Sequence, residues 1–299
     1  MSAPLSAFDL VTIGAYTKDT IVSRAGTRYV NGGGYSYAAH AARVAGLRVG
    51  AVTRLAAEDR GSTDALVEAG VEVRIHESPG STLMRLEYPT DNVDERILTV
   101  AGVADPFSMD HVAGIGARAF LVSASIRGEV PLDVVRALRD TGSTIGADVQ
   151  GFVRVVGEGG RLLYAAWPEQ RAVLELVDVL KTDAVEAEFL TGESDIRRAA
   201  STLAAQGPRE VVLTHRDGVL VLADGRFHEA TFHPEPLRGR SGRGDTCIGS
   251  YLARRLDADP AQATVWAAAV TTLKMEAEGP IRRPVSDVHA LIERRYQPR

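Results

Sequence analysis

Cysteine is almost missing from this chain of 299 residues: Cys247 stands alone. No internal disulfide can form, and a reducing compartment is expected. A secretion signal is lacking as well, because MSAPLSAFDL has neither a basic start nor a long apolar core. The longest apolar runs fall far short of a membrane span. The seven histidines show no metal-ligand spacing. No charge of one sign dominates. The net charge is −5 with both signs mixed throughout, which argues against a nucleic-acid surface and gives no general attraction for anions. A phosphate ligand would have to be held by local donors and a metal. The expected setting is cytoplasmic, with neither nucleic acid nor membrane as partner.

Several familiar motifs are missing too. There is no Gly-x-x-x-x-Gly-Lys-Ser/Thr pattern, so the chain is not a P-loop enzyme. A Gly-x-Gly-x-x-Gly with a downstream ribose acid, a protein-kinase motif set and a Gly-x-Ser-x-Gly elbow are all absent. No internal repeat, low-complexity segment or Pro/Ser-rich linker divides the chain.

What is present is a rhythm of strand and helix. The hydrophobic fraction, 45%, suffices for a large core at this length. FDLVTIGAY reads as a buried strand. Residues 17–30 alternate weakly about Ala25-Gly26, as a hairpin would. Gly32, Gly33 and Gly34 lead into an Ala-rich helix that Gly46 closes. RVGAVTRL and VEVRIHE are strand-like, with a helical GSTDALVEAG between them. LMRLEYPTDNVDERILTV reads as two half-polar strands about a turn at residues 89–92. From Ala119 on, strands and helices alternate, with a long connection through Trp167. Helices are expected over 246–256, 260–276 and 285–295. Such alternation predicts an α/β fold, a mainly parallel sheet covered on both faces. The half-polar strands, each with one wet face, suit a small exposed sheet.

The chain is organised around Arg238 to Tyr251, RGRSGRGDTCIGSY. Gly239, Gly242 and Gly244 free the backbone to turn its N–H groups toward a ligand. The apolar pattern Ile248, Tyr251, Leu252, Leu256 marks a helix that begins there. Its unpaired N–H groups and dipole make a site for a phosphate-like anion. Asp245 in the first turn sits where it could take a proton from an attacking hydroxyl; the other reading is a helix N-cap.

These features resemble the ribokinase-like, or phosphofructokinase-B, carbohydrate kinases, and the resemblance runs essentially end to end. Gly242-Arg243-Gly244-Asp245 stands where the family has Gly-Ala-Gly-Asp. Gly32 and Gly33, the helix AAHAARVAG and strand RVGAV match its N-terminal signature. Asp183-Ala184-Val185-Glu186 matches its Asn-x-x-Glu, and Thr214 to Gly218 its Thr-x-x-x-Gly. The resemblance implies a three-layer α/β/α sandwich, with residues 1–16, 32–80 and 101–299 as the nucleotide-binding body. It makes 17–31 and 81–100 a β-sheet lid through which two copies can pair.

It also implies a kinase that moves the γ-phosphate of ATP, with Mg²⁺, to an alcohol of a sugar or polyol. Asp245 would be the base. Gly242, Arg243 and Gly244 would meet the phosphoryl group. Thr214 and Gly218 would lie along ATP, and Asp183 and Glu186 would order Mg²⁺ and its waters. Asp19, Gly32, Gly33, Gly34 and Tyr37 would face substrate, and Arg96 would cover it from the lid. Asp148, Gln150 and Arg154 follow a strand end, where α/β sites collect. Each has a plainer alternative: turn residue, helix entry, N-cap pair, solvated charge or, for Tyr37, packing inside its helix. Two departures stand out. Gly239-Arg240 replaces the family's Asp-Thr, which puts potassium activation in doubt, and Tyr37 replaces a diol-binding Asn. With DVQGFVR these point to the inositol-kinase-like branch. A nucleoside kinase of the same fold, with Tyr16, Tyr35 or Tyr37 stacking on a base, and a non-catalytic sensor stay open beside it.

Overall fold

The computed structural model describes residues 8–90 and 97–296. In chain order the strands are β1 (Phe8–Ile13), β2 (Thr17–Ser23), β3 (Gly26–Gly32), β4 (Val49–Leu55), β5 (Glu72–Glu77), β6 (Thr82–Glu87), β7 (Ile97–Gly102) and β8 (Ala117–Val122). They continue with β9 (Thr144–Asp148), β10 (Arg154–Val156), β11 (Leu162–Tyr164), β12 (Val179–Asp183), β13 (Glu210–Thr214), β14 (Gly218–Ala223) and β15 (Arg226–Thr231). The helices are α1 (Gly34–Val44), α2 (Asp64–Glu68), α3 (Met109–Val112), α4 (Leu132–Arg139), α5 (Gln150–Val153) and α6 (Gln170–Leu174). After them come α7 (Ala184–Thr191), α8 (Ile196–Ala204), α9 (Arg243–Arg255), α10 (Pro260–Met275) and α11 (Val285–Arg295).

Nine strands form one sheet in the order β15-β14-β13-β12-β9-β8-β1-β4-β5. Pairing is parallel from β13 through β5, and β14 and β15 add on antiparallel. Strands β4, β13 and β14 are buried along their whole length, as strands covered on both faces must be. One face packs Val134, Leu138, Leu174, Ala187 and Leu203 from α4, α6, α7 and α8. The other packs Ala38, Ala42, Ile248, Tyr251 and Ala267 from α1, α9 and α10. The result is the three-layer ribokinase-like sandwich.

The half-polar strands form a separate four-stranded sheet, β3-β2-β6-β7. Its hairpins β2–β3 and β6–β7 are antiparallel, and a parallel seam, Thr17 with Thr82 through Val22 with Glu87, joins them. Along β6, Thr82, Met84 and Leu86 are buried while Leu83 and Arg85 are exposed. Met84 and Leu86 pack with Ile21, Val100 and Ile126. The connection through Trp167 has more structure than its sequence suggests. It holds α5 and the hairpin β10–β11, and Trp167 stacks on Phe152 at 4.6 Å. Helix α9 begins at Arg243 rather than Thr246, because Gly242 takes the left-handed conformation (φ 74°) that opens it.

Candidate active site

Two helix N-termini meet between the sheets. Gly34 begins α1 and Asp245 lies in the first turn of α9. They are so close that a Cβ on Gly34 would lie 2.4 Å from Asp245 Oδ1. Further along the same pair of helices, a Cβ on Gly249 would lie 2.6 Å from the Ala38 Cα. Glycine and alanine thus let the two helices touch and bring both positive dipole ends to one place. Among the described residues the N–H groups of Gly244 and Asp245 make no backbone hydrogen bond, as expected of the first residues of a helix. Gln150 donates to Asp245 Oδ1 at 3.2 Å.

A cavity of about 310 Å³ opens over this junction. The small sheet covers it with Thr17, Asp19, Met84 and Leu86, and the body supplies Gln150, Arg154, Lys181, Asp183 and Thr214. Arg240, Ser241, Gly242, Arg243, Gly244 and Asp245 close the side of the anion loop. Asp19 Oδ1 is buried and has no hydrogen-bond partner among the described residues. Burial pushes the Asp19 carboxyl up to about 6, the Thr17 hydroxyl opposing this and Asp245 adding to it. A buried acceptor without a donor is a cost that an incoming hydroxyl would remove. Gly32 does not line the cavity but makes room for it: a Cβ there would lie 2.5 Å from Asp19 Oδ2 and from Thr17 Oγ1.

Behind the cavity runs a buried chain of charge. Asp148 pairs with Lys181 at 3.0 Å, Lys181 lies 3.9 Å from Glu186, and Glu186 pairs with Arg154 at 3.0 Å. Burial opposes the charge of Lys181, but Asp148 and Glu186 outweigh it and hold the ammonium above its ordinary value. Asp183 and Glu186 form a capping box at the start of α7. Both Glu186 oxygens are engaged, one by Arg154 and one by the Asp183 N–H. Of this pair it is Asp183 that lines the cavity, with its Oδ1 accepting from the Glu186 N–H at 2.8 Å. One carboxylate beside bound phosphates suits Mg²⁺, which keeps its waters and takes few protein ligands.

The expected site residues therefore divide. Asp19, Gly33, Gly34, Tyr37, Gln150, Arg154, Asp183, Thr214, Gly242, Arg243, Gly244 and Asp245 line one cavity. Asp148 and Glu186 stand one layer behind it. Gly218 does not line it. It starts β14, where a Cβ would meet the Ala230 carbonyl at 2.4 Å, so close strand approach explains this glycine. Tyr37 is pressed against the anion loop: a Cβ on Gly242 would fall 2.2 Å from its ring. Arg96 lies outside the described residues. Sequence reading missed Lys181, which sits inside a buried strand. It also missed Glu129, whose carboxylate accepts from the Ala15 and Ser125 N–H groups beside the cavity.

Comparison with known proteins identifies the family. A profile of the pfkB family carbohydrate kinases matches residues 7–285, and the chain belongs to that family. It is accordingly a phosphotransferase with an alcohol group as acceptor. It resembles a pyrophosphate-dependent kinase in the ribokinase family, solved with a pyrophosphate analog and myo-inositol, at 34% identity and TM-score 0.87, covering 94% of this chain and 99% of that one. It also resembles a pyrophosphate-dependent myo-inositol-1 kinase converted into a myo-inositol-3 kinase, at 33% identity and TM-score 0.86, covering 96% and 100%. The cytidine kinase of Thermococcus kodakarensis is 26% identical over 258 residues, 82% of this chain and 87% of that protein.

Proposed function

We propose that this chain transfers a phosphoryl group from pyrophosphate to a hydroxyl of a ring polyol of the inositol class. The observation that carries the reading is one cavity holding the orphaned Asp19 oxygen at one wall and the α9 N-terminus with Asp245 at the other. Asp19 accepts a hydrogen bond from a substrate hydroxyl and fixes the ring. Asp245 takes the proton of the attacking hydroxyl. The N–H groups of Gly244 and Asp245 face the charge that spreads over the phosphoryl oxygens. Residues 17–31 and 81–100 act as a lid that excludes water. Asp183 is the residue that would hold Mg²⁺ against the donor, where the ion supplies charge neutralisation between phosphates.

Pyrophosphate is preferred here to the expected ATP because two similar proteins, at 34% and 33% identity, are pyrophosphate-dependent kinases. Adenosine was expected along Thr214, Gly218 and the final helices. The cavity reaches Thr214 but not Gly218, and Tyr296 packs between β15 and α10. Tyr296 donates to the Thr231 carbonyl at 2.6 Å and meets Thr272 Oγ1 at 3.3 Å, and its ring lies 5.4 Å from His233. A nucleoside acceptor is the second reading, favoured by the likeness to cytidine kinase. Specificity constants for myo-inositol, ribose, cytidine and adenosine, each with pyrophosphate and with ATP, test both. Preference for myo-inositol with pyrophosphate is expected. Preference for ATP would overturn the donor, and preference for a nucleoside would overturn the acceptor.

A further inference from the structure

Lysine is rarely buried without a charged partner, yet Lys274 in the last turn of α10 is 1% exposed. Its Nζ donates to the Gly239 carbonyl at 2.9 Å, and among the described residues that is its hydrogen-bond acceptor. The ammonium also stands over the ring of Tyr37, 5.5 Å from its centroid. Gly242, the residue that opens α9, also lies against that ring. The loop is tied to the same turn of α10 a second time, since Arg238 and Gly239 donate to the Met275 carbonyl at 2.8 and 3.0 Å. A second cavity, of about 480 Å³, borders the arrangement, lined by Arg28, Arg238, Lys274 and Glu278 among others.

We propose that Lys274 is a positioning residue for phosphoryl transfer. Its tethered ammonium holds the Gly239 carbonyl and the Tyr37 ring, so that residues 239–242 present the α9 N-terminus to the phosphoryl group. This rests on the kinase reading above and adds a role to a residue outside the reacting cavity. Hydrogen bonding from a charged donor gives the loop a stronger tie than a neutral side chain could, and the ring face adds a cation–π contact. The cation is kept at a cost. Burial pushes the Lys274 ammonium down to about 8, with Asp245 and Glu278 pulling it back up. A purely structural position in an apolar helix would be served better by Met or Leu. The charge therefore has a use, and the nearest use is the loop.

The test compares wild type with Lys274→Met, which fills similar space without charge, and Lys274→Ala, which leaves a hole the size of a small ammonium ion. Phosphoryl transfer is measured with myo-inositol and pyrophosphate, with and without added ammonium or methylammonium. Both variants should lose roughly 10²-fold in kcat, the scale of an ångström misplacement of reacting groups, with KM for the polyol little changed. Ammonium should restore part of kcat in Lys274→Ala and none in Lys274→Met, and it should leave wild type unaffected. A Lys274→Met enzyme with wild-type kcat would overturn the proposal. So would a loss in Lys274→Ala that ammonium does not reverse. If Lys274→Ala does not fold, Lys274→Met decides on its own. Inactive wild type with every donor and acceptor would count against the kinase reading instead.

Discussion

Asp19 and Asp245 are two carboxylates in one cavity to which the proposed function gives different tasks, and single substitutions should separate them. Asp245→Asn keeps the size of the side chain and its place beside Gly34. Turnover should fall about 10²–10⁴-fold, the usual cost of losing a general base, with polyol binding retained. Turnover within a few-fold of wild type would remove Asp245 from that role. Asp19→Asn should act on binding and on stability at once. Burial raises Asp19 to about 6, so its charged form at pH 7 weakens the fold. Replacing it should stabilise the protein by roughly 1–3 kcal/mol, each pH unit of displacement being worth about 1.4 kcal/mol, while KM for the polyol rises. A lower denaturant midpoint for Asp19→Asn would contradict this account. Both carboxylates were legible in the sequence, one beside the glycine cluster and one after the first strand. Lys181 and Lys274 were not. Each stands in an apolar stretch whose pattern says only that the element is buried. The partners that explain them, Asp148 and Gly239, are 33 and 35 residues away in sequence.

At the scale of elements, the weak alternation of residues 17–31 and 81–100 was enough to foresee a sheet apart from the core. What it did not contain was the seam. Nothing local in TKDTIVS or TLMRLE says that β2 and β6 lie side by side and parallel. That pairing makes the two hairpins one body, so amide exchange should show β2, β3, β6 and β7 gaining protection together when myo-inositol and a donor analogue bind. Protection of one hairpin without the other would refute a lid that moves as a unit. Gly218 gained a second reading for a similar reason. In sequence it reads as part of a nucleotide loop, yet a Cβ there would meet the Ala230 carbonyl of β15 at 2.4 Å, a contact that only the strand pairing reveals.

For the whole molecule, two buried carboxyls give stability a component that falls as pH rises. Burial raises Glu129 to about 7, against its hydrogen bonds from Ala15 and Ser125, and raises Asp19 to about 6. In the unfolded chain such groups release their protons near pH 4. Between pH 4 and 7 the unfolded state therefore binds fewer protons than the folded one, and the contribution of these groups to stability falls as pH rises. Asp257 works the other way. Its hydrogen bond from Arg118 holds it below the usual range, so its contribution is lost as pH drops below about 4. Burial holds His40, His76, His111 and His215 below their ordinary value, and they oppose this trend between about pH 5 and 7. The carboxyl contribution is therefore read as a difference: the melting temperature of Glu129→Gln should gain on that of wild type as pH rises from about 5 to 7.5. A difference between the two that stays constant over that range would contradict this.

The seam between β2 and β6 also bears on the order in which the protein is made. Thr17 finds Thr82 only after α1, β4, α2 and β5 have been threaded between them. Closing so long a loop costs entropy that no local contact repays, so the seam forms late, on a body already folded. The small sheet is then the part that opens first when the structure loosens. A nascent or partly unfolded chain has the residues of the Gly242 to Asp245 turn but no cover over them, and the cavity gains its second wall only with the last pairing.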